Sequence, residues 1–384
     1  MSESSGASGG LRVAEIQGRG RAMVASQPIK PGQIILQESP ILLYPNAVSR
    51  VSGSLTFCSH CFRRIDPPHA ETPRCPSCSH HALFCSLACR TAALCSSHSS
   101  WVCETLTRLR SSPPPNQDLQ TQANFLIAAF NLSVVSPSDF QKLLSLQGEA
   151  SPNAEAATLH SLLSAISPNF ASLSPELTAG LLAKDKQNAF GLMEPAGDGD
   201  RSVRAYGIYP TASFFNHDCL PNACRFDYVD GSGTRNTDII VRAIHDIAEG
   251  REACLSYFPV NWSYKDRQKR LMEDYGFECG CDRCRVESHW KDEEEGEDAG
   301  MEEDVDEEME ESEGEEDVGQ DDTDFPHAYF FVRYLCDKEG CGGTLAPLPP
   351  SQGTASNVME CNVCGQLRRD MDAHDGEEEE MSVC

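Results

Sequence analysis

The chain has no run of eighteen apolar residues, so no helical membrane span is expected. Its opening, MSESSGASGG, lacks both the basic start and the apolar middle of a secretory signal. Together these absences point to an intracellular protein with reduced thiols. Basic charge is also scarce: 31 Lys and Arg stand against 59 Asp and Glu, for a formal net charge of −28. That balance argues against a broad basic face for DNA or RNA, although Arg63, Arg64, Arg74 and Arg90 gather in one segment. No internal repeat is found, and 384 residues are more than one compact domain usually holds.

The negative charge is unevenly spread. From Asp292 to Asp324 there are 21 acidic residues and no Lys or Arg. So few apolar groups cannot offset the entropy of ordering, and residues 291–325 read as a disordered loop. Such a loop favours basic partners or simply aids solubility. A second acidic cluster, Asp370 to Glu380, runs into an acidic tail at 371–384, and residues 1–10 read as a disordered start.

What the chain has in excess is cysteine, 19 residues of it. In a reducing compartment metal binding is the default reading. The first block is Cys58-x2-Cys61, Cys75-x2-Cys78 and Cys85-x3-Cys89, followed by His98 and Cys103. Thiolates two or three residues apart can face one ion from a tight turn, and two such pairs complete the tetrahedral shell of structural zinc. Eight ligands therefore serve two ions, with Cys95 as an alternative to His98. The block has little apolar content, so metal is expected to supply much of its folding energy. The second block, Cys279, Cys281 and Cys284, offers three ligands where a closed site needs four, and Cys219 is the candidate fourth. The third, Cys336-x4-Cys341 with Cys361-x2-Cys364, has a zinc-ribbon pattern. About four zinc ions are expected. Cys95, Cys224, Cys254 and Cys384 are left as ordinary thiols.

Along the chain, LRVAEI, RAMVAS and QIILQES within residues 11–45 read as strands, with turns at Gly18–Gly20 and Pro31–Gly32. SSPPPN from Ser111 is a linker. Residues 119–190 read as helices, because Ala and Leu recur at helical spacing in NFLIAAFNL, DFQKLLSL, AATLHSLLSAI and PELTAGLLAKDKQ. Ser151-Pro152 and Ser174-Pro175 suit helix starts. AYGIYP, ACRFDYV and DIIVRAI are strand-like again. SYKDRQKRLMEDYGF reads as a helix with its Lys and Arg on a solvated face.

Several of these pieces resemble one known family. NHDCLPN from Asn216 looks like the signature of SET-domain protein-lysine methyltransferases. REACLSYF, ending in Ser256-Tyr257, resembles the motif that follows it there; CGCDRC from Cys279 resembles the post-SET zinc site, and GRGR from Gly18 the opening cofactor loop. The first cysteine block resembles a MYND zinc finger inserted after the first strands. NAFGLMEP from Asn188 and YGFECGCDRC are similar to further segments of the SET-and-MYND family. The resemblance spans roughly residues 11–290, and the composition suggests the plant branch of that family. Two departures stand out. The gaps from Cys89 to His98 and from there to Cys103 are each a residue longer than the usual finger has. The usual Gly-Glu-Glu reads Gly250-Arg251-Glu252, in a turn expected to lie outside the pocket.

The resemblance implies an α+β, β-rich SET fold with a pseudoknot. Its parts would be a SET N-terminal part at 11–57, the MYND finger at 58–103, a helical insert at 104–190, and the core SET region at 191–260. A post-SET zinc region at 261–290 would follow, with a C-terminal ribbon at 326–370 beyond the acidic loop. It implies S-adenosylmethionine as cofactor, contacted by Gln17, Arg19, Asn188, Ser213, Asn216, His217, Tyr257 and Phe277. Tyr257 and Tyr275 would be catalytic, the first through a hydroxyl that orients amine and methyl group, and Phe190 and Tyr275 would wall the lysine channel. Cys219 would turn away from the cofactor to its zinc, while Pro221 and Asn222 fix the turn. The expected substrate is a histone tail or another basic, lysine-containing protein, methylated by a monomer in the nucleus, the cytoplasm or both. The competing expectation is a scaffold whose MYND finger binds proline-containing peptides and whose SET domain is weak or inactive.

Overall fold

The computed structural model describes residues 10–47, 56–65, 71–78, 81–151, 153–194, 202–228, 230, 236–290, 327–351 and 353–370. The expected disordered start (but for Gly10), the acidic loop 291–325, the acidic tail and Cys384 lie outside the described residues.

The first strands form where they were expected: β1 (Leu11–Ile16) and β2 (Gly20–Ala25) make an antiparallel pair. β3 (Ile34–Glu38) and β4 (Leu42–Pro45) then part company and join different sheets. The short pair β5 (Thr56–Phe57) and β6 (Arg64–Ile65) opens the finger, and helix α1 (Leu87–Cys95) and the first turn of α2 (Ser100–Ser111), which carries Cys103, close it. Buried Arg204 ties this finger to the body: it donates to the Phe62 carbonyl at 2.8 Å and reaches Asp230 at 3.1 Å.

Four helices follow: α3 (Gln117–Val135), α4 (Pro137–Ser145), α5 (Ala154–Ile166) and α6 (Pro175–Asn188). Ser174-Pro175 starts α6 as expected, the Ser174 hydroxyl accepting from the Leu177 amide at 3.1 Å. Ser151-Pro152 does not start a helix. The cap of α5 is Asn153, whose side-chain Oδ1 accepts from the Ala156 amide at 2.8 Å. Ser136-Pro137 begins α4 instead. These helices share a core with Leu42, Tyr44 and Ile208 of the neighbouring sheet, which is why α3 is apolar on most of its surface.

That sheet is completed by β7 (Ala189–Met193) and β8 (Val203–Ile208), in the order β4-β8-β7. A second sheet has β10 (Ile239–Ala243) between β3 and β9 (Ala223–Phe226). Met23, Ile35, Tyr209, Phe215 and Val241 pack between these strands. Helix α7 (Tyr264–Arg270) is carried on by a wider turn, residues 271–275, and α8 (Asp282–Glu287) ends this part of the chain. Helix α9 (Ala328–Tyr334) leads into the ribbon strands β11 (Leu345–Pro347), β12 (Val358–Cys361) and β13 (Leu367–Arg369). No helix among the described residues is long and apolar enough to cross a membrane.

The segment from Asn216 to Asn222 is laced to residues 252–257, the strong local anchoring that a pseudoknot needs. His217 and Leu255 form a parallel bridge, the Leu255 amide donates to Asn216, and the Asp218 amide donates to Leu255. Asn222 fixes the turn from both ends of its amide, bonding the Glu252 carbonyl and the Cys254 amide at 2.8 Å each.

Candidate functional site

Metal ligands impose the strictest geometry, so the site is built from them. Four groups of donors converge: Cys58, Cys61, Cys85 and Cys89; Cys75, Cys78, His98 and Cys103; Cys219, Cys279, Cys281 and Cys284; Cys336, Cys341, Cys361 and Cys364. Within each group the ligand atoms lie within 4.8 Å of one another. A tetrahedral ion with metal–sulfur bonds of about 2.3 Å has sulfur–sulfur edges of about 3.8 Å. The separations fit that shell: 3.6 Å for Cys61–Cys85, 3.7 Å for Cys75–Cys103, 3.5 Å for Cys219–Cys284, 3.9 Å for Cys219–Cys279 and 3.7 Å for Cys336–Cys364. The two finger sites interleave along the chain. His98 joins the second, its Nε2 3.8 Å from Cys78, while Cys95 is exposed and outside both groups. The extra residues around His98 are absorbed in the turn between α1 and α2, where the His98 amide donates to Ala93. Cys224 and Cys254 are buried thiols outside every group.

Cys219 therefore does meet the three post-SET thiols. The surroundings add a residue that the sequence reading placed wrongly. Arg267 of α7 is fully buried, not on a solvated face. Its Nε lies 3.2 Å from Cys219 Sγ and its Nη1 bonds the Trp262 carbonyl at 2.6 Å. Glu287, shared with Arg283, balances its charge at 2.5 Å. Four thiolates around a divalent ion carry net negative charge, and a buried guanidinium offsets it in a dry site. The helical pattern could have suggested this, because Arg267 and Leu271 share one face of the turn.

Two residues before Cys219, the His217 ring packs at a tilt against Phe258 and Tyr257, with ring centres 4.6 Å and 5.3 Å away. Its Nδ1 accepts the Tyr257 amide at 3.2 Å, so in the neutral ring the proton sits on Nε2, 3.2 Å from Cys219 Sγ. Burial pushes the His217 pKa down to about 3, which keeps the ring neutral. The imidazole thus connects the cysteine cluster to the Tyr257 backbone. Tyr257 itself donates its hydroxyl to the Phe215 carbonyl at 3.0 Å, and burial raises its pKa.

Around Tyr257 lies a cavity of about 490 Å3 lined by Asn188, Phe190, Ser213 and Tyr275 among others. Tyr275 packs its ring 4.7 Å from Tyr257. Asn188 spends both amide hydrogens on the Gln147 and Lys184 carbonyls at 2.7 Å, leaving only its oxygen for a ligand. The Ser213 hydroxyl is turned onto the Tyr209 carbonyl at 3.0 Å.

The other expected cofactor residues are not on this lining. Arg19, Asn216 and His217 form a second group across the same turn, with Arg19 bonding the His217 carbonyl at 3.0 Å. Their centre is Glu252, which pairs with Arg19 Nε at 2.8 Å and takes the Asn216 amide at 2.8 Å. The Gly250–Glu252 turn was expected to be irrelevant to the pocket. The turn is indeed absent from the cavity lining, yet Glu252 orients Arg19 and Asn216, because the backbone pairing of Val24 with Glu252 brings the turn against the loop at 18–20. Gln17 is exposed, and Phe277 is 38% exposed with its ring 6.5 Å from Tyr275.

The profile of the SET domain family matches residues 20–258. Over 394 aligned positions the chain is 56% identical to histone-lysine N-methyltransferase ASHR2 of Arabidopsis thaliana, covering 94% of this chain and 96% of that protein. It is 25% identical to histone-lysine N-methyltransferase ASHR1 of the same plant, over 71% of this chain and 55% of that one. It is also 25% identical to histone-lysine N-methyltransferase SMYD3 of Homo sapiens, over 70% of this chain and 60% of that one.

Proposed function

The chain belongs to the SET-domain family, in the branch of the SET-and-MYND lysine methyltransferases, and we propose that it transfers methyl groups from S-adenosylmethionine to lysine amines of proteins, histone tails or other basic segments among them. One observation carries the reading. The turn Asn216–Cys219 is held at one end by the cysteine cluster and, through His217, at the other by the backbone of Tyr257. The donor-side residues and the tyrosine at the acceptor cavity are therefore parts of one rigid unit.

The donor-side residues suit a ligand with amino-acid and nucleoside ends. Arg19 is half-exposed beside the turn and offers a guanidinium for a carboxylate. The side-chain oxygens of Asn188 and Asn216 have no donor among the described residues, which suits an ammonium. Phe277 presents an exposed ring on which a base can stack. S-adenosylmethionine, when bound, supplies a methyl group on a sulfonium. Tyr257 stays a neutral phenol, so it is no general base; with its proton on Phe215, its oxygen is left to accept from the incoming amine. The aromatic walls Phe190 and Tyr275 exclude water, which disfavours the lysine ammonium and favours the free amine that must attack. Alignment along the channel then contributes most of the rate.

On this reading the four donor groups hold zinc as structural ions, two of them in a MYND finger. An enzyme acting on histones works in the nucleus, and one acting on other basic proteins works there or in the cytoplasm. The scaffold reading is disfavoured because Tyr257, Asn216 and His217 are all present and joined. The test is titration of the full chain with S-adenosylmethionine by calorimetry, followed by labelled-methyl transfer to a lysine-peptide array. Binding and transfer are expected; binding of no cofactor would leave the scaffold.

A further inference from the structure

The cavity around Tyr257 is not closed by the SET strands alone. Its lining includes Phe190 and Gly191 of β7, Arg225 of β9, and Thr344, Asn362 and Val363 of the C-terminal ribbon. The ribbon is a fixed wall. Asn362 accepts the Thr344 amide at 2.8 Å and donates to the Arg225 carbonyl at 3.2 Å. Glu360 pairs with Arg242 at 2.9 Å and accepts the Tyr228 hydroxyl at 2.8 Å, and Arg242 is almost fully buried, 3.6 Å over the Phe226 ring. Backbone contacts at two glycines seat the ribbon closely. A Cβ at Gly342 (φ +60°) would come within 2.9 Å of Asn261 Oδ1, just beyond Tyr257 in the chain. One at Gly32 (φ +75°) would meet the Leu348 carbonyl at 2.3 Å.

Within this wall Arg225 is the unbalanced group. Its guanidinium donates to the Gly191 carbonyl at 3.1 Å and sits 5.5 Å from the centre of the Phe190 ring. No carboxylate lies at ion-pair distance from it among the described residues, whereas the buried Arg204, Arg242 and Arg267 each have one. An arginine fork in a cavity, already oriented and short of an anion, is a carboxylate receptor.

We propose that Arg225, braced by the ribbon, selects substrates by binding an Asp or Glu side chain close to the acceptor lysine. The proposal rests on the lysine-methyltransferase reading and names its substrate class. A cavity of this volume is about 10 Å across, so the acidic residue falls within about three positions of the lysine.

The test uses the full chain and fluorescent lysine peptides in twin pairs, identical except for Glu or Gln at one position on either side of the lysine. Binding is read by polarisation, so no turnover is needed. At one position or more the Glu twin should bind about tenfold more tightly, and added salt should narrow the gap. Arg225→Gln should abolish the difference, Arg225→Lys should retain part of it, and both should bind S-adenosylmethionine as the parent does. Equal binding of all twins by the parent chain overturns the proposal, whatever the variants do. So does loss of cofactor binding in Arg225→Gln, which would assign the fork to the donor instead. Methyl transfer to the same peptides is scored separately: a twin preference without transfer sinks the enzyme reading, and transfer without a preference sinks only the acidic subsite.

Discussion

Arg267 and Cys219, 48 residues apart, meet with Nε 3.2 Å from Sγ in a fully buried contact. The pair joins the helix that follows Tyr257 to the turn Asn216–Cys219. Arg267→Met should therefore weaken the post-SET metal without touching a ligand. It also leaves Glu287 with Arg283 alone, at a stability cost of about 3 kcal/mol. Zinc analysis after mild chelation should find about three ions per chain where the parent keeps about four. Cys219→Ser should lose the same ion and cofactor binding together. Full metal retention in both variants would separate Cys219 from the site.

Tyr257→Phe removes the hydroxyl held on Phe215 and nothing of the ring contact with Tyr275. Turnover should fall about 10²- to 10³-fold, while cofactor affinity stays close to that of the parent. The check pairs single-turnover rates with calorimetric binding. Unchanged turnover would take Tyr257 out of the chemistry.

Glu252 is on neither the cavity lining nor any of the cysteine clusters, yet it holds both Arg19 and Asn216. Glu252→Ala should weaken S-adenosylmethionine binding about tenfold, since one well-made charged contact is worth about 1.5 kcal/mol or more. Turnover at saturating cofactor should change far less. A cofactor affinity equal to that of the parent would show that Arg19 and Asn216 orient themselves.

Asp185 gives a pH signature. Burial raises its pKa to about 7, and the Tyr44 hydroxyl donates to it. The carboxyl is thus protonated in the folded chain at pH values where an unfolded Asp is ionised. Stability should be fully present below about pH 4 for this group and decline as pH rises towards 7. Asp185→Asn keeps an acceptor for Tyr44 and removes that slope. It should be the more stable chain at pH 8 by about 1–3 kcal/mol and no better at pH 4. Denaturant melts at the two pH values decide it; equal gains at both would exclude titration of Asp185.

Much of this protein can be read from its residues, and the reason is the short range of the forces involved. A tetrahedral ion dictates the spacing of paired thiolates, so every cysteine of the four ligand groups is written in the cysteine pattern, Cys219 included. Strand and helix periodicity likewise place β1 to β3 and the helical insert, with caps misjudged only where Asn153 outcompetes Ser151. Choices between equivalent partners needed the fold. His98 enters a metal group while Cys95 points to solvent, because the turn after α1 brings only one of them inward. Glu252 reaches Arg19, Arg267 reaches Cys219, and the ribbon closes the cavity beside Arg225. Charges carry no address along the chain: any Arg can pair with any acid, and only the packing of distant strands decides which two are left together in a dry place.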